Sequence, residues 1–276
     1  MQVSNTWTPP TGTLGTLVAA AMDRVRALHS HQGSLERAAA AAATPPSFAA
    51  AFRGDTLAII AEIKRRSPSK GELNPNLDAA HRAGEYVAGG AAAVSVLTEP
   101  DRFGGSLADL RMVAEAVSIP VLRKDFLVDS LQLLEARAFG ASAVLLIARA
   151  LPPRQLVVLV AAARAVGLEP LVEVRDQREL DRALAADAHV IGVNNRDLET
   201  LRVDPTTAAR IVPEIPADVI AVAESGISSR IEAETAAAFG ADAILVGSAL
   251  SVASDPAAAV RALTGLARAE RGQGSR

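Results

Sequence analysis

Three stretches of this chain share one pattern: residues 88–97 read AGGAAAVSVL, 138–147 read AFGASAVLLI, and 238–247 read AFGADAILVG. In each, the end of a helix leads to a glycine, where the chain can turn left-handed, and then to a short apolar run. The runs are continuously apolar rather than alternating, which is typical of parallel strands covered on both faces. The pattern therefore predicts, three times over, a helix followed by a buried parallel strand.

Further strands and helices alternate between these stretches. Helical patterns separate the strands at residues 107–116, 131–138, 153–166 and 178–186. Apolar β-rich runs predict five more strands at residues 57–64, 120–123, 168–174, 190–194 and 219–223. Eight strands alternating with helices, about 20–35 residues apart, favour a single (β/α)8 TIM barrel over an open doubly wound sheet. No G-x-G-x-x-G follows the first strand, which counts against a dinucleotide-binding fold.

The segments outside the barrel are short. Residues 1–56 predict a helical extension packed on the barrel, with helices at 14–29 and 35–43 and a break at Pro45–Pro46. The barrel itself is expected to span residues 57–268. Residues 269–276 are expected to form a flexible tail.

Composition narrows the classes of function. Half of the 276 residues are apolar, so a large core can be buried, and the net charge of −3 with 3% aromatic residues argues against a nucleic-acid partner. No cysteine is present, which fits a reducing compartment. The first basic residue, Arg24, follows the mildly apolar stretch 13–22, which is the wrong order for a secretory signal. No run reaches the roughly 18–20 apolar residues of a membrane span. These features predict a cytoplasmic protein without a membrane partner.

Charged residues occupy strand positions that should be apolar. Catalytic groups of a barrel lie where the strands end, at the C-terminal face. Glu62 and Lys64 are two apart on the first strand and therefore share a face. Lys124 ends the third strand, where apolar walls are expected to lower its pKa toward the range useful for acid catalysis. Glu173 interrupts the apolar fifth strand and needs a partner, because an unpaired buried carboxylate is costly.

A lysine and a glutamate held together in a cleft suit acid–base catalysis. The alternative for Glu62 and Lys64 is an interior ion pair that serves packing alone, and Lys124 on its own would be an ordinary surface lysine. Asn194 ends the sixth strand, where an asparagine either hydrogen-bonds a substrate or forms a turn.

The last two strands end in glycine and serine. Barrels frequently bind phosphate with the loops after strands seven and eight, because glycines let backbone N–H groups approach the anion and serine hydroxyls add donors. Here the seventh strand ends at Glu224, Ser225 and Gly226, and the eighth ends at Gly247 and Ser248. The two turns together predict a site for a phosphorylated small molecule.

A metal site is not expected. The four histidines are scattered, and none falls at a predicted strand end with a carboxylate partner: His29, His31, His81 and His189. A surface or packing role is the expectation for each of them, and no G-x-S-x-G motif offers a serine nucleophile.

Seven motifs occur in an order that resembles the indole-3-glycerol phosphate synthase family. They are IAEIKRRSPSKG, SVLTEPDRFGGS, PVLRKDF, LVEV, IGVNNRDL, AESGI and ILVGSAL, within residues 46–265. The resemblance implies that 1-(2-carboxyphenylamino)-1-deoxyribulose 5-phosphate closes a ring and then loses CO2 and water, giving indole-3-glycerol phosphate without a cofactor. It also implies the catalytic residues, with Lys124 as general acid, Glu173 as the acid–base group of dehydration and Lys64 as its partner. Glu62 and Asn194 are implied as orienting groups. The residues implied around the sugar and phosphate are Ser67, Arg196, Glu224, Ser225, Gly226, Gly247 and Ser248, and those against the aromatic ring are Phe103, Phe126 and Leu198.

Two departures and two competing functions accompany this resemblance. Residues 1–45 match the family poorly, and Arg175 stands where histidine is common, with a surface effect expected. A barrel that binds a phosphorylated metabolite without catalysis is one alternative, and an isomerase of another phosphoribosyl compound is the other. Lys64, Lys124 and Glu173 are all present, which favours the synthase. A monomer is the expected state.

Overall fold

Eight parallel strands close into one barrel. The computed structural model describes residues 7–69 and 71–271, and in it every strand is hydrogen-bonded to its two neighbours along the sequence, with the eighth closing on the first. The predicted (β/α)8 barrel is confirmed. The strands are β1 Ala58–Ile63, β2 Ala93–Leu97, β3 Val121–Lys124, β4 Ala143–Ile147, β5 Glu169–Val174, β6 Val190–Asn194, β7 Ile220–Glu224 and β8 Ala243–Val246.

Helices surround the barrel. Side chains at the first cap position accept backbone N–H groups and fix where several helices begin, as Ser106, Asp129 and Asp176 do. The barrel helices are Ala79–Ala88, Leu107–Ala116, Ser130–Ala138, Pro153–Ala165, Gln177–Ala185, Thr206–Ile211, Arg230–Ala238 and Pro256–Arg261. Short helices at Pro100–Phe103 and Ser248–Ser251, and a small hairpin of Arg66–Ser67 with Gly71–Glu72, lie on the side where the strands end.

The junction repeated in the sequence is built as predicted. Gly90, Gly140 and Gly240 all adopt left-handed backbone, with φ of 95°, 85° and 88°. A residue with a Cβ would be strained at these angles, so each glycine permits the helix to end and the next strand to begin. The strands that follow are buried along their whole length, as expected of a parallel sheet with the barrel core on one face and helices on the other.

The N-terminal extension forms two helices, α1 Gly12–Leu28 and α2 Gln32–Ala41. One face of α1 is apolar and buried, and its members are Leu14, Leu17, Val18, Ala21 and Val25. Arg24 extends from α1 to the carboxylate of Asp125, just beyond β3, at 2.8 Å. The extension therefore packs on the barrel close to the ends of the strands.

The C-terminal segment closes the opposite end of the barrel. The backbone N–H of Leu57 donates to the carbonyl of Leu266 at 2.8 Å, and Arg271 is paired with buried Asp242 at 2.7 Å. Residues 269–271 are thus attached to the barrel, and the rest of the tail, 272–276, lies outside the described residues. Within the described residues, no helix combines the length and the apolar character that a membrane crossing requires.

Candidate active site

The ends of four strands bring five charged side chains together. Lys124 Nζ lies 3.2 Å from Glu224 Oε2, on β7, and 3.7 Å from Glu62 Oε2, on β1. It lies 3.9 Å from Glu173 Oε2, on β5. Lys64 Nζ lies 2.7 Å from Glu62 Oε1. Strand ends of a closed barrel converge, which is why residues spread over more than 150 positions meet here.

The charges of this cluster nearly cancel. Two ammonium groups face three carboxylates, all with at most 14% of the side chain exposed. Burial alone would raise the pKa of Glu62, but the positive charges of Lys64 and Lys124 outweigh it and lower the pKa below its usual value. Burial would likewise lower the pKa of Lys124, yet the carboxylates of Glu224, Glu62 and Glu173 raise it. The expectation of a lowered pKa for Lys124 is therefore wrong, because three carboxylates face it as well as apolar walls.

Glu173 and Glu224 behave differently from Glu62. Burial raises the pKa of Glu173 more than Lys124 and the side chain of Asn194 lower it. Burial and the neighbouring charge of Glu173 raise the pKa of Glu224 to about 7. One proton shared by these two carboxyl groups would leave the cluster neutral, with two positive and two negative charges. The site can thus hold both a charged ammonium donor and a protonated carboxyl donor near neutral pH.

Two glycines, Gly192 and Gly247, leave room for the carboxylates of Glu224 and Glu62. A Cβ on Gly192 of β6 would collide with Glu224 Oε1, and one on Gly247 would collide with Glu62 Oε1. The Gly247 position would also bring that Cβ to 2.9 Å from Lys64 Nζ. Gly247, predicted as a phosphate-binding glycine, therefore also gives room to the ion pair of β1.

The charged cluster lies on one side of a cavity of about 400 Å³ at the barrel mouth. The predicted ring-pocket residues line this cavity, with the rings of Phe103 and Phe126 6.3 Å apart between centroids and Leu198 nearby. Ser225, Gly226, Gly247 and Ser248 line it as well. The cavity thus joins a charged side, an apolar wall and the two glycine–serine turns.

The turn after β7 is the more strained of the two. Ser225 has φ of 64° and Gly226 has φ of 79°, both in the left-handed region. For serine that region costs free energy and is found mostly where a site requires it. The side-chain amide of Asn195 donates to the Ser225 carbonyl at 2.9 Å and fixes the turn.

The remaining predicted residues lie at the edge of the cavity. Asn194 bonds the carboxyl of Glu173 and accepts the backbone N–H of Arg196 at 2.8 Å. Arg196 lines the mouth and donates to the Leu201 carbonyl at 2.9 Å. Ser67 is buried and lines a smaller adjoining cavity of about 60 Å³ together with Lys64. All fifteen predicted site residues therefore lie in or beside the mouth.

A buried network next to Lys124 was not predicted. The carboxylate of Asp125 accepts three hydrogen bonds: from Thr98 Oγ1 at 2.7 Å, from the backbone N–H of Phe126 at 2.8 Å and from the guanidinium of Arg24 at 2.8 Å. Arg123, 2% exposed, donates to Asp125 at 3.3 Å. The network fixes the backbone on both sides of Lys124. The only sequence signal was three consecutive charges, Arg123 to Asp125, ending an apolar strand.

The histidines lie away from the mouth. His29, His31, His81 and His189 are all exposed, and none of them lines the cavity. In the part of the chain that the structure describes, no group of three or more histidine, cysteine or acidic side chains is arranged to hold a metal ion.

Comparison of this sequence with known proteins shows the family of the chain. The model of the family described as indole-3-glycerol phosphate synthase matches residues 14–263. This chain belongs to the indole-3-glycerol phosphate synthase family. Within the family, indole-3-glycerol phosphate synthase 1 of Streptomyces coelicolor is 53% identical over 226 residues, which are 82% of this chain and 84% of that protein. The synthase of Kineococcus radiotolerans is 55% identical over 202 residues, 73% of this chain and 74% of that protein.

Solved structures show the same fold at low identity. The 3-hexulose-6-phosphate synthase of Salmonella typhimurium aligns with a TM-score of 0.61 and 18% identity, over 75% of this chain and 96% of that one. The thiamine phosphate pyrophosphorylase of Pyrococcus furiosus aligns with a TM-score of 0.57 and 20% identity, over 75% and 93%. These likenesses support the barrel fold of this synthase-family chain and nothing about its reaction.

Proposed function

We propose that this chain is an indole-3-glycerol phosphate synthase. It converts 1-(2-carboxyphenylamino)-1-deoxyribulose 5-phosphate into indole-3-glycerol phosphate, CO2 and water. The observation that carries the proposal is the position of Lys124, which faces a 400 Å³ cavity and is surrounded by three carboxylates. An ammonium donor beside a protonated carboxyl supplies the two acids that ring closure and dehydration require.

Ring closure begins at the aromatic carbon that bears the carboxylate. This carbon attacks the ribulose carbonyl carbon, and Lys124 donates a proton to the carbonyl oxygen as it becomes an alkoxide. Because three carboxylates raise the pKa of Lys124, the ammonium is fully charged and stabilises the developing negative oxygen. The bond to the carboxylate then breaks, CO2 leaves, and the electron pair of that bond restores the aromatic ring.

Dehydration removes the hydroxyl that ring closure created. The raised pKa of Glu173 favours its protonated form, in which it can donate a proton to the leaving hydroxyl. As a carboxylate it can then accept a proton from the ring carbon beside the nitrogen. Lys64 assists Glu173 from across the cavity, and Glu62 and Asn194 hold the reacting groups in place. Glu224 shares the proton of Glu173.

The rest of the cavity binds the substrate. The turns at Ser225–Gly226 and Gly247–Ser248 bind the phosphate, since they offer backbone N–H groups and hydroxyls at the cavity. Phe103, Phe126 and Leu198 pack against the aromatic ring. Ser67 and Arg196 complete the polar shell around the sugar. We still only predict that the chain is a monomer, that it lies in the cytoplasm and that it binds no nucleic acid.

A direct assay tests this proposal. Purified protein should convert the anthranilate-derived ribulose phosphate into a product with indole absorbance, with a chelator present. Lys124→Ala should lower kcat by about a hundredfold or more because it removes the general acid, while the circular dichroism spectrum stays that of a folded barrel. Near-normal turnover by Lys124→Ala would refute the assignment of this lysine.

The same assay separates the synthase from a metabolite-binding barrel. If the wild-type protein binds the substrate, as measured by calorimetry, and forms no product, a binding function without catalysis replaces the synthase. The presence of Lys64, Lys124 and Glu173 in one cluster favours catalysis.

A further inference from the structure

A second cavity adjoins the mouth cavity at Glu173. This rear cavity has a volume of about 150 Å³. It shares Ile147, Glu173, Asn194, Arg196 and Leu198 with the mouth cavity. Since one water molecule needs only about 10–15 Å³ of such space, the rear cavity can hold several water molecules.

The rear cavity continues into a cleft at the protein surface. This outer cleft, about 260 Å³, shares Arg149, Asp176 and Glu179 with the rear cavity. Its other lining residues are Trp7, Thr8, Arg178 and Arg182, of which Thr8 and Arg178 are exposed. Mouth, rear cavity and outer cleft therefore form a series that reaches from the substrate site to solvent.

Glu179 lies where the rear cavity meets the outer cleft. It lies in the first turn of the helix after β5, and its Oε2 accepts the backbone N–H of Arg175 at 2.8 Å. Its side chain is buried, and burial together with the charge of Asp176 raises its pKa to about 7. Its charge in turn contributes to the raised pKa of Glu173. The charged groups around it, on all the elements that line the two cavities, are Arg149, Glu173, Arg175, Asp176, Arg178, Arg182, Arg196, Asp197 and Glu199.

The proposed reaction consumes a proton in each turnover. Ring closure donates one proton to the carbonyl oxygen, and dehydration donates one to the leaving hydroxyl. Only one is returned, from the ring carbon beside the nitrogen, because the carboxylate leaves as neutral CO2. The protein must therefore take one proton from solvent per turnover, while substrate or product fills the mouth for most of the cycle.

We propose that Glu179 is a positioning residue that passes this proton from the outer cleft, through water in the rear cavity, to Glu173. The inference rests on the proposed synthase reaction. Glu173 recovers its own proton from the ring carbon, so one turnover leaves Lys124 as the group that lacks a proton. Glu179 takes a proton from solvent and gives it up toward Glu173, and Glu173 passes a proton to Lys124 Nζ, 3.9 Å away, which restores the ammonium before the mouth is free. The two linked cavities provide a route that avoids the bound substrate.

Glu179→Gln tests the relay. The amide keeps an acceptor for the Arg175 N–H and keeps the shape of the side chain, but it cannot carry a proton. We expect kcat to fall about tenfold with KM within about twofold of the wild-type value. In rapid-mixing experiments the first turnover should proceed at the wild-type rate, because Lys124 and the Glu173–Glu224 pair already carry their protons. Later turnovers should be slow, because Lys124 must first be reprotonated.

Two further variants serve as controls. Glu232 accepts the Ser228 N–H at 2.7 Å at the start of another helix, the same local arrangement as Glu179 and Arg175. Glu232→Gln should therefore leave kcat within about twofold, which measures the effect of losing a capping charge. Glu179→Asp, which can still carry a proton, should recover most of the later-turnover rate that Glu179→Gln loses.

The outcomes are distinct. A kcat for Glu179→Gln within about twofold of wild type overturns the relay, and so does a first turnover slowed as much as the later ones, because that indicates a structural effect. Failure of Glu179→Asp to recover activity overturns it as well. A wild-type protein that forms no indole product refutes the proposed function itself.

Discussion

Lys124 shows how neighbouring charges decide the chemistry of a buried side chain. Apolar surroundings alone would favour the neutral amine, whereas Glu62, Glu173 and Glu224 keep the ammonium charged. Three carboxylates around one lysine would leave excess negative charge, which Lys64 and one shared proton offset. In the proposed reaction, Lys124 therefore acts by stabilising the developing alkoxide with its positive charge rather than through a lowered pKa.

Glu224 predicts a pH dependence of stability. Its pKa in the folded protein is raised to about 7, so the folded state keeps a proton that an unfolded glutamate releases near pH 4.3. This contribution is fully present below about pH 4 and is lost as the pH rises through about 7. Between pH 5 and pH 8 the free energy of unfolding should therefore fall by an amount on the order of 1–3 kcal/mol.

Glu224→Gln should make that dependence shallower, because the amide resembles the protonated carboxyl and does not titrate. Urea unfolding at pH 5, 6, 7 and 8 measures it, with exposed Glu115→Gln as the control. Glu62 has a lowered pKa, so its contribution is lost only below about pH 4 and does not enter this range. Equal slopes for Glu224→Gln and wild type would contradict the raised pKa.

At the scale of elements, α1 is attached to the barrel near the mouth through Arg24, which also lies 4.0 Å from the carboxylate of Glu99. Arg24 bonds Asp125 at 2.8 Å, and Asp125 precedes Phe126 of the ring pocket. Thr13 and Leu17, at the start of α1, line the small cavity beside Lys64 and Phe103. The position of α1 therefore influences how the mouth receives its substrate.

Arg24→Ala should raise KM several-fold and change kcat little. It loosens α1, while Asp125 keeps its bonds to Thr98 and Arg123 and so still fixes the backbone beside Lys124. Arg26→Ala is the matched control, since Arg26 is exposed and pairs only with Asp23 of the same helix among the described contacts. Steady-state kinetics give both constants, and hydrogen exchange over residues 12–28 should quicken in Arg24→Ala alone. An unchanged KM with unchanged exchange would show that α1 docks without this contact.

At the scale of the whole molecule, stability and catalysis occupy opposite ends of the barrel. Asp242 precedes β8 at the N-terminal end of the strands, where it accepts the Ala221 N–H at 2.7 Å and pairs with Arg268 and Arg271. Arg271, 4% exposed at its side chain, also donates to the Val219 carbonyl at 2.6 Å. These contacts fasten the end of the chain across β7 and β8.

Arg271→Ala should cost about 1–3 kcal/mol of unfolding free energy, because it leaves buried acceptors without a donor. That corresponds to a lower Tm of about 2–4 °C for each kcal/mol in a chain of this size. The kcat should stay at the wild-type value, since no mouth residue is touched. Arg261→Ala, an exposed position on the last helix, is the control for both measurements. A fall in kcat at a temperature where the variant is folded would contradict the separation of the two ends.

Strand and helix positions were largely predictable because they depend on local patterns. The strand predicted at 190–194 matches Val190–Asn194. The other four strands with predicted bounds differ by one residue at one or both ends, as with 57–64 against Ala58–Ile63. The errors at the C-terminal ends fall on Lys64, Lys124 and Glu224, and those at the N-terminal ends fall on Leu57, Pro120, Leu168 and Val219. In each case the assignment depends on hydrogen bonds to the neighbouring strands. Local composition carries no information on those bonds.

The sequence by itself determined the eight-fold alternation, the glycine junctions, which residues lie in or beside the mouth and, through seven ordered motifs, the family. Each of these depends on residue type and spacing along the chain. Only the tertiary structure decided that three carboxylates surround Lys124, that Gly192 makes room for Glu224, and that Glu179 lies where the rear cavity meets the outer cleft. These features depend on distances between strands far apart in sequence, and such distances are set when the barrel closes.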